Sequence, residues 1–175
     1  EAPPGRVRYH LGNHEMGVLF PERFHWAGVY SFELDADLRR SFIEHVAAGD
    51  ITVAFEGYEH TYSHAGANEP FDVQTANEQA QQAAKRLLTL LEEGRYDDEQ
   101  LDVVDDYEMV FGTGGSFGRG ESAGLLWMDF RHMEASAPPQ IVGHSRRAQP
   151  TRTGNAICQN VIRENLGSPG GEAVV

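Results

Sequence analysis

The residues predict an α/β domain, and three observations carry that prediction. Two stretches repeat apolar side chains at helical spacing, short apolar runs of strand length stand between and beyond them, and several of those runs end in polar turns that contain glycine.

Along the chain, residues 7–11 read as a buried strand that feeds the turn Gly12-Asn13-His14-Glu15. Residues 16–30 are aromatic and irregular, with Phe20, Phe24, Trp26 and Tyr30. Leu38, Phe42, Ile43 and Val46 recur at helical spacing, which predicts an amphipathic helix over 35–48 closed by Gly49. Residues 51–55 and 60–63 read as strands of a hairpin joined around Gly57, the second delivering His64 at its end. Residues 75–93 are rich in Ala, Gln, Leu and Glu, free of Gly and Pro, and stopped by Gly94, so they form the clearest helix. The acidic stretch 97–106 reads as either a short helix or a solvated loop, and the glycine-rich stretch 111–124 as a loop. Short strands are expected at 124–127, 140–143, 156–162 and 172–175.

Length and charge narrow the functional classes. A chain of 175 residues is long enough to bury a real core. Its formal net charge is -13, and Lys85 is its single lysine. Such a surface is unsuited to gripping nucleic-acid phosphates nonspecifically, and it suits solubility at high salt, so a salt-adapted source is expected. Cys158 is the sole cysteine, which excludes a disulfide within the chain and makes a reducing cytoplasm the expected location. No apolar run approaches the roughly 20 residues needed to span a membrane.

Three polar loops carry the chemistry: Gly12-Asn13-His14-Glu15, Ser63-His64-Ala65-Gly66 and Gly143-His144-Ser145, each behind an apolar run. Asn13 offers a neutral oxygen, the imidazoles can bind a metal or carry a proton near neutral pH, and Glu15 can orient a neighbour. The glycines allow sharp turns and close backbone approach. His10, His25, His45, His60 and His132 read as structural, and Cys158 as packing.

In this order the three loops resemble the calcineurin-like metallophosphoesterases, in particular the branch containing the Ser/Thr protein phosphatases. That family shows five blocks: Asp-x-His, Gly-Asp-x-x-Asp, Gly-Asn-His-Glu, His-Ala-Gly or His-Gly-Gly, and Gly-His. The last three stand here as Gly12 to Glu15, His64 to Gly66, and Gly143-His144. The resemblance implies a layered sandwich of two mixed sheets flanked by helices. It also implies hydrolysis of a phosphomonoester by water at two divalent metal ions, manganese first, with iron, zinc, nickel or cobalt as alternatives. Asn13, His64 and His144 would be ligands of one metal, and His14 the proton donor to the leaving group. Glu15 would hold the His14 ring, and an arginine would clamp the phosphoryl oxygens. Arg131 and Arg119 both fit the family's positions for that arginine; Arg146 and Arg147 come third.

The first two blocks are absent. The resemblance therefore implies a single partial domain over 1–175, with at most one metal site partly formed and with the N-terminal segment of the same domain as a missing partner. The isolated chain is expected to be inactive or nearly so. A phosphorylated protein is the first substrate expected, with a small phosphoester second. A nucleotide or diadenosine polyphosphate hydrolase is the rival enzyme, favoured if the aromatic segment 20–30 lines the site. A noncatalytic binding module on the same fold is the rival from another class.

Overall fold

The computed structural model describes residues 7–24, 35–115 and 119–162, and there the chain has the mixed α/β character expected. Strands β1 (Tyr9–His10) and β2 (Ile51–Thr52) pair in parallel, with Tyr9 opposite Ile51. The Leu11 N–H donates to the Thr52 carbonyl at 2.7 Å and extends this pairing until the chain turns. The second sheet is built from β3 (Ala54–Gly57), β4 (His60–Ser63), β5 (Gln140–Val142), β6 (Thr151–Thr153) and β7 (Ala156–Cys158), in the order β3-β4-β5-β7-β6. Its edge strands are antiparallel to their neighbours, whereas β4, β5 and β7 run parallel. Ser63 stands beside Val142, and Val142 beside Cys158, so three strand ends open onto one edge of the sheet.

Helices α1 (Met16–Leu19), α2 (Ala36–Ala48), α3 (Val73–Glu93), α4 (Tyr96–Asp106) and α5 (Glu108–Phe111) build the rest. Asp35 caps α2 and Asp72 caps α3, each accepting a backbone N–H of the first turn, and both helices end on a left-handed glycine, Gly49 and Gly94. The buried face of α3 is a stripe of small residues, Ala76, Ala80, Ala83 and Ala84, continued by Leu87 and Leu90. Such a stripe lets α2 approach closely through Ile43 and Val46. The main core runs from this helix pair to Leu11, Met16, Phe20 and Phe111. A smaller one, with Ala65, Met128, Phe130, Val142 and Cys158, lies beneath the strand ends.

Several expectations from the sequence are corrected. The first strand is not buried along its length: only Tyr9 and His10 are strand, Tyr9 is 68% exposed, and Leu11 alone is fully covered. The run 51–55 is two strands. The N–H groups of Val53 and Ala54 are both taken by Asn77 Oδ1 from α3, at 2.9 and 3.1 Å, which ends one ladder and begins the next. The hairpin turns at Tyr58 and Glu59, both with positive φ, and Gly57 is paired to His60. Residues 124–127 form a turn, with the Trp127 N–H donating to the Gly124 carbonyl at 2.9 Å. That run is buried because it threads between the two cores, and burial without alternation does not distinguish strand from turn. Leu38 is 60% exposed, so the apolar stripe of α2 is narrower than its spacing suggests. The last strand covers Ala156–Cys158, short of residue 162. The acidic stretch is helical, its first turn holding Asp97, Asp98 and Glu99, where carboxylates favour the helix dipole. The strand expected at 172–175 lies outside the described residues. Among the described residues no helix is long and apolar enough to cross a membrane.

Candidate functional site

The loops after β1, β4 and β5 meet at the open sheet edge. Asn13 Oδ1 lies 2.9 Å from His64 Nε2 and 3.2 Å from His144 Nδ1, and the two ring nitrogens are 3.1 Å apart. Three donor atoms from three loops thus form a nearly equilateral triangle. Asn13 is only 4% exposed.

Local packing dictates this convergence. A Cβ on Gly12 would lie 2.8 Å from Cε1 and Nδ1 of His64, so only glycine lets that ring lie against the loop backbone. Glu15 Oε2 accepts the Gly12 N–H at 2.8 Å and closes the turn on itself. Met16 and Leu19 anchor α1 in the core directly behind the turn, and the buried Tyr96 hydroxyl donates to the Leu19 carbonyl. The Gly143 N–H donates to the His64 carbonyl at 2.9 Å, tying the two histidine loops together. Buried Gln140 holds the chain after His64 from below: its Oε1 accepts the Ala67 N–H at 3.0 Å and its Nε2 donates to the Ala67 carbonyl at 2.7 Å. On the other side the Asn160 amide donates to the His144 carbonyl at 3.0 Å. His144 itself has φ of 51°, a left-handed conformation uncommon for a side-chain-bearing residue and often found where function fixes the backbone.

Electrostatics keep both rings neutral. Burial, reinforced by His144, His14 and Arg119, pushes the His64 pKa down to about 3. Burial and Arg119 push His144 down to about 4, against the opposing pull of Asp129 and the Trp127 carbonyl. His144 Nε2 is buried without a well-formed hydrogen bond, and the Trp127 carbonyl is the backbone group that acts on this ring. Neutral imidazole is the form that binds metal.

Hydrogen bonds alone cannot satisfy the triangle. Two N–H groups aimed at Asn13 Oδ1 would face each other across the N···N edge. A single N–H leaves another edge with lone pair against lone pair, and turning the Asn13 amide moves the conflict without removing it. A cation satisfies all three atoms together. Two ligands about 2.1 Å from an ion, at right angles, stand about 3.0 Å apart, close to the spacing here. The donor set therefore fits a divalent ion that accepts nitrogen and oxygen. Among the described residues no group of three or more His, Cys, Asp or Glu side chains is placed to hold a metal ion, so an ion at this triangle would depend on the amide of Asn13 as its third donor.

The triangle lines a cavity of about 620 Å³ that also takes in His14, Glu15 and Arg119. Of the two candidate arginines the structure brings only Arg119 there; Arg131 lies outside, its Nε 3.3 Å from His132 Nε2. Like His144, Arg119 has a positive φ, of 67°. Arg146 and Arg147 line the same cavity. Asp129, missed in the sequence, reaches the same cavity. Its partial burial works against ionisation, but the Arg131 N–H, the Ser145 hydroxyl and the charges of Arg131 and Arg147 hold its pKa below the ordinary value. Asn160 was also missed, although its place two residues past a strand parallel to β5 mirrors that of His144. Other histidines have local partners: His10 meets the Thr52 hydroxyl, His45 meets Asp50, and His60 meets the Tyr58 carbonyl. Cys158 is buried, as packing requires, and its thiol donates to the Gly143 and Ser145 carbonyls. Phe20 and Phe24 belong to the core; Trp26 and Tyr30 lie outside the described residues.

Compared with protein-family models, with curated proteins and with solved structures, the chain matches none.

Proposed function

We propose that this chain forms one side of a metal-dependent phosphoesterase centre. The observation that carries the reading is the Asn13, His64 and His144 triangle, whose edges of 2.9, 3.1 and 3.2 Å suit a shared cation. The reading extends the fold to the metallophosphoesterase sandwich, with the β1–β2 pair belonging to one sheet and the five-stranded sheet being the other. The substrate class is a phosphomonoester, on a protein or a small molecule, and manganese is the first metal to try.

Asn13 Oδ1, His64 Nε2 and His144 Nδ1 would hold the ion. When bound, a divalent ion polarises phosphoryl oxygens and lowers the pKa of water. Arg119 presents a planar guanidinium fork to the phosphoryl oxygens. His14, next to Asn13 and on the same cavity wall, gives a proton to the leaving oxygen. Glu15 acts through its bond to the Gly12 N–H, holding Asn13 and His14 at their posts. Because the described residues supply three ligands to one ion, turnover by this chain alone is proposed to be very low. The packing of Phe20 and Phe24 into the core withholds from the cavity two of the aromatic rings that a nucleotide hydrolase would use for stacking.

Manganese titration followed by electron paramagnetic resonance tests the reading. The chain should take up one ion, and His64→Ala should weaken that uptake by at least about tenfold. Equal uptake by both proteins sinks the proposal.

A further inference from the structure

We propose that the Arg146–Arg147 pair forms a second anion subsite, so that the preferred substrate carries two contiguous phosphoryl groups rather than one. The inference rests on the reading of this cavity as a metal-dependent phosphate-hydrolysing centre and moves its substrate class from a simple phosphomonoester to a compound with a phosphoanhydride.

The charge distribution is the first argument. The chain has a net charge of -13, yet three arginines, Arg119, Arg146 and Arg147, line one cavity. Among the described residues none of these three has a carboxylate within ion-pair distance, which is equally true of Arg8, Arg23, Arg39, Arg131 and Arg152, so what sets the three apart is their gathering in one cavity. The two carboxylates of the cavity are already engaged: Glu15 accepts the Gly12 N–H, and Asp129 is held by the Arg131 N–H and the Ser145 hydroxyl, with the charge of Arg147 acting on it from beyond ion-pair distance. In a chain so rich in acids, guanidinium groups that face a concave wall without a carboxylate partner are suited to an anionic ligand.

Rigidity is the second. The Arg147 N–H donates to the Asn160 carbonyl at 3.0 Å, while the Asn160 amide donates to the His144 carbonyl, also at 3.0 Å. Residues 144–147 and 160 are therefore clipped into one wall. The Arg147 guanidinium donates to the Arg146 carbonyl at 3.0 Å and lies over the Phe130 ring, 5.7 Å from its centroid, which preorganises it.

Spacing is the third. Arg146 follows the ligand His144 by two residues, a backbone span of at most about 7 Å. A phosphoryl group at the triangle thus has its neighbouring anionic group, a few bonds away, within reach of the arginine pair. A second charge a peptide's length away would overshoot it. Contiguous phosphates, as in a nucleoside diphosphate or pyrophosphate, fit within this span, and phosphates at opposite ends of a sugar are the comparison that tests it.

Isothermal titration of the whole chain, metal-free and at low ionic strength, tests the subsite with three probes: inorganic phosphate, pyrophosphate and a hexose 1,6-bisphosphate. Pyrophosphate should bind at least about tenfold more tightly than phosphate, the worth of one added charge-assisted hydrogen bond. It should also bind more tightly than the hexose bisphosphate. Arg146→Ala/Arg147→Ala should abolish the pyrophosphate advantage. Arg146→Gln, at an exposed position where folding is not at stake, should reduce it at least about threefold. A smaller advantage in the parent chain, an advantage unchanged in both variants, or tighter binding of the hexose bisphosphate overturns the proposal. Manganese uptake measured separately keeps the two readings apart: its loss with the pyrophosphate preference intact sinks the metal centre alone.

Discussion

His64 Nε2 lies 3.1 Å from His144 Nδ1, although the residues are 80 positions apart, and burial is the main force keeping both rings neutral. Burial opposes protonation of either ring, and at His64 the neighbouring His144 adds to that opposition. That makes the pair a source of pH-dependent stability as well as a candidate ligand set.

The sign follows from the shifts. In the unfolded chain each histidine takes up a proton near pH 6.5, whereas in the folded chain His64 does so at about 3 and His144 at about 4. Between about pH 4 and 6.5 the unfolded state binds more protons, so stability rises with pH across that window and is lost as pH falls through it. The slope is at most about 1.4 kcal/mol per pH unit for each imidazole. Urea melts in chelator-containing buffer should show the midpoint falling from pH 6.5 to 4.5, and His144→Asn should flatten that fall. Parallel slopes for the two proteins contradict the assignment.

Gly12→Ala tests the close approach on which the triangle depends. The added methyl would sit 2.8 Å from two atoms of the His64 ring and 3.0 Å from Glu15 Oε2, so the ring or the loop must move. Overpacking of this kind costs about 1–3 kcal/mol. A shifted ring opens the triangle, so manganese affinity should fall at least about tenfold as thermal stability drops. Retained affinity in a destabilised variant would show that the triangle does not depend on Gly12.

Gln140→Leu keeps the volume but removes the clamp on the loop after His64. The Ala67 N–H and carbonyl both bond to the Gln140 amide, at 3.0 and 2.7 Å. Leaving buried partners unsatisfied costs about 1–3 kcal/mol each. A loss of about 2–4 kcal/mol in chemical denaturation is expected, and a loss below about 1 kcal/mol would mean that water reaches those groups.

What could be read from the sequence follows from how each feature is encoded. The helices were legible because caps and breakers are local: Asp35 and Gly49 bracket one, and Gly94 ends another. The site loops were legible as residue types at the ends of apolar runs, in a recognisable order. Their meeting depends on parallel pairing between β4 and β5, which local patterning does not specify. Asn77 was illegible because an asparagine within a helix reads as surface. Its bonds to Val53 and Ala54 exist only once α3 packs against the strands, and they split what looks like one strand. Asp129 was hidden behind the buried run at 124–127, whose turn carries it into the cavity.

The two arginines that sequence left equal now give opposite expectations. Arg119 shares the cavity with the triangle and lowers the pKa of both ring nitrogens' parent histidines, which places its charge close to them. Arg131 lies outside the cavity, and its backbone N–H, rather than its fork, bonds to Asp129. Removing a guanidinium that contacts a phosphoryl group costs about 1.5–3 kcal/mol, the range for hydrogen bonds to charged groups. Arg119→Ala should therefore weaken binding of inorganic phosphate to the manganese-loaded chain by at least about tenfold. Arg131→Ala should change it less than about twofold, because its effect reaches the site only through Asp129. Calorimetric titration of both variants measures the difference. Arg119→Lys separates charge from geometry: the charge remains but the planar fork is lost, so an affinity between parent and alanine variant marks bidentate recognition. Equal weakening by Arg119→Ala and Arg131→Ala would place the clamp elsewhere on the cavity wall.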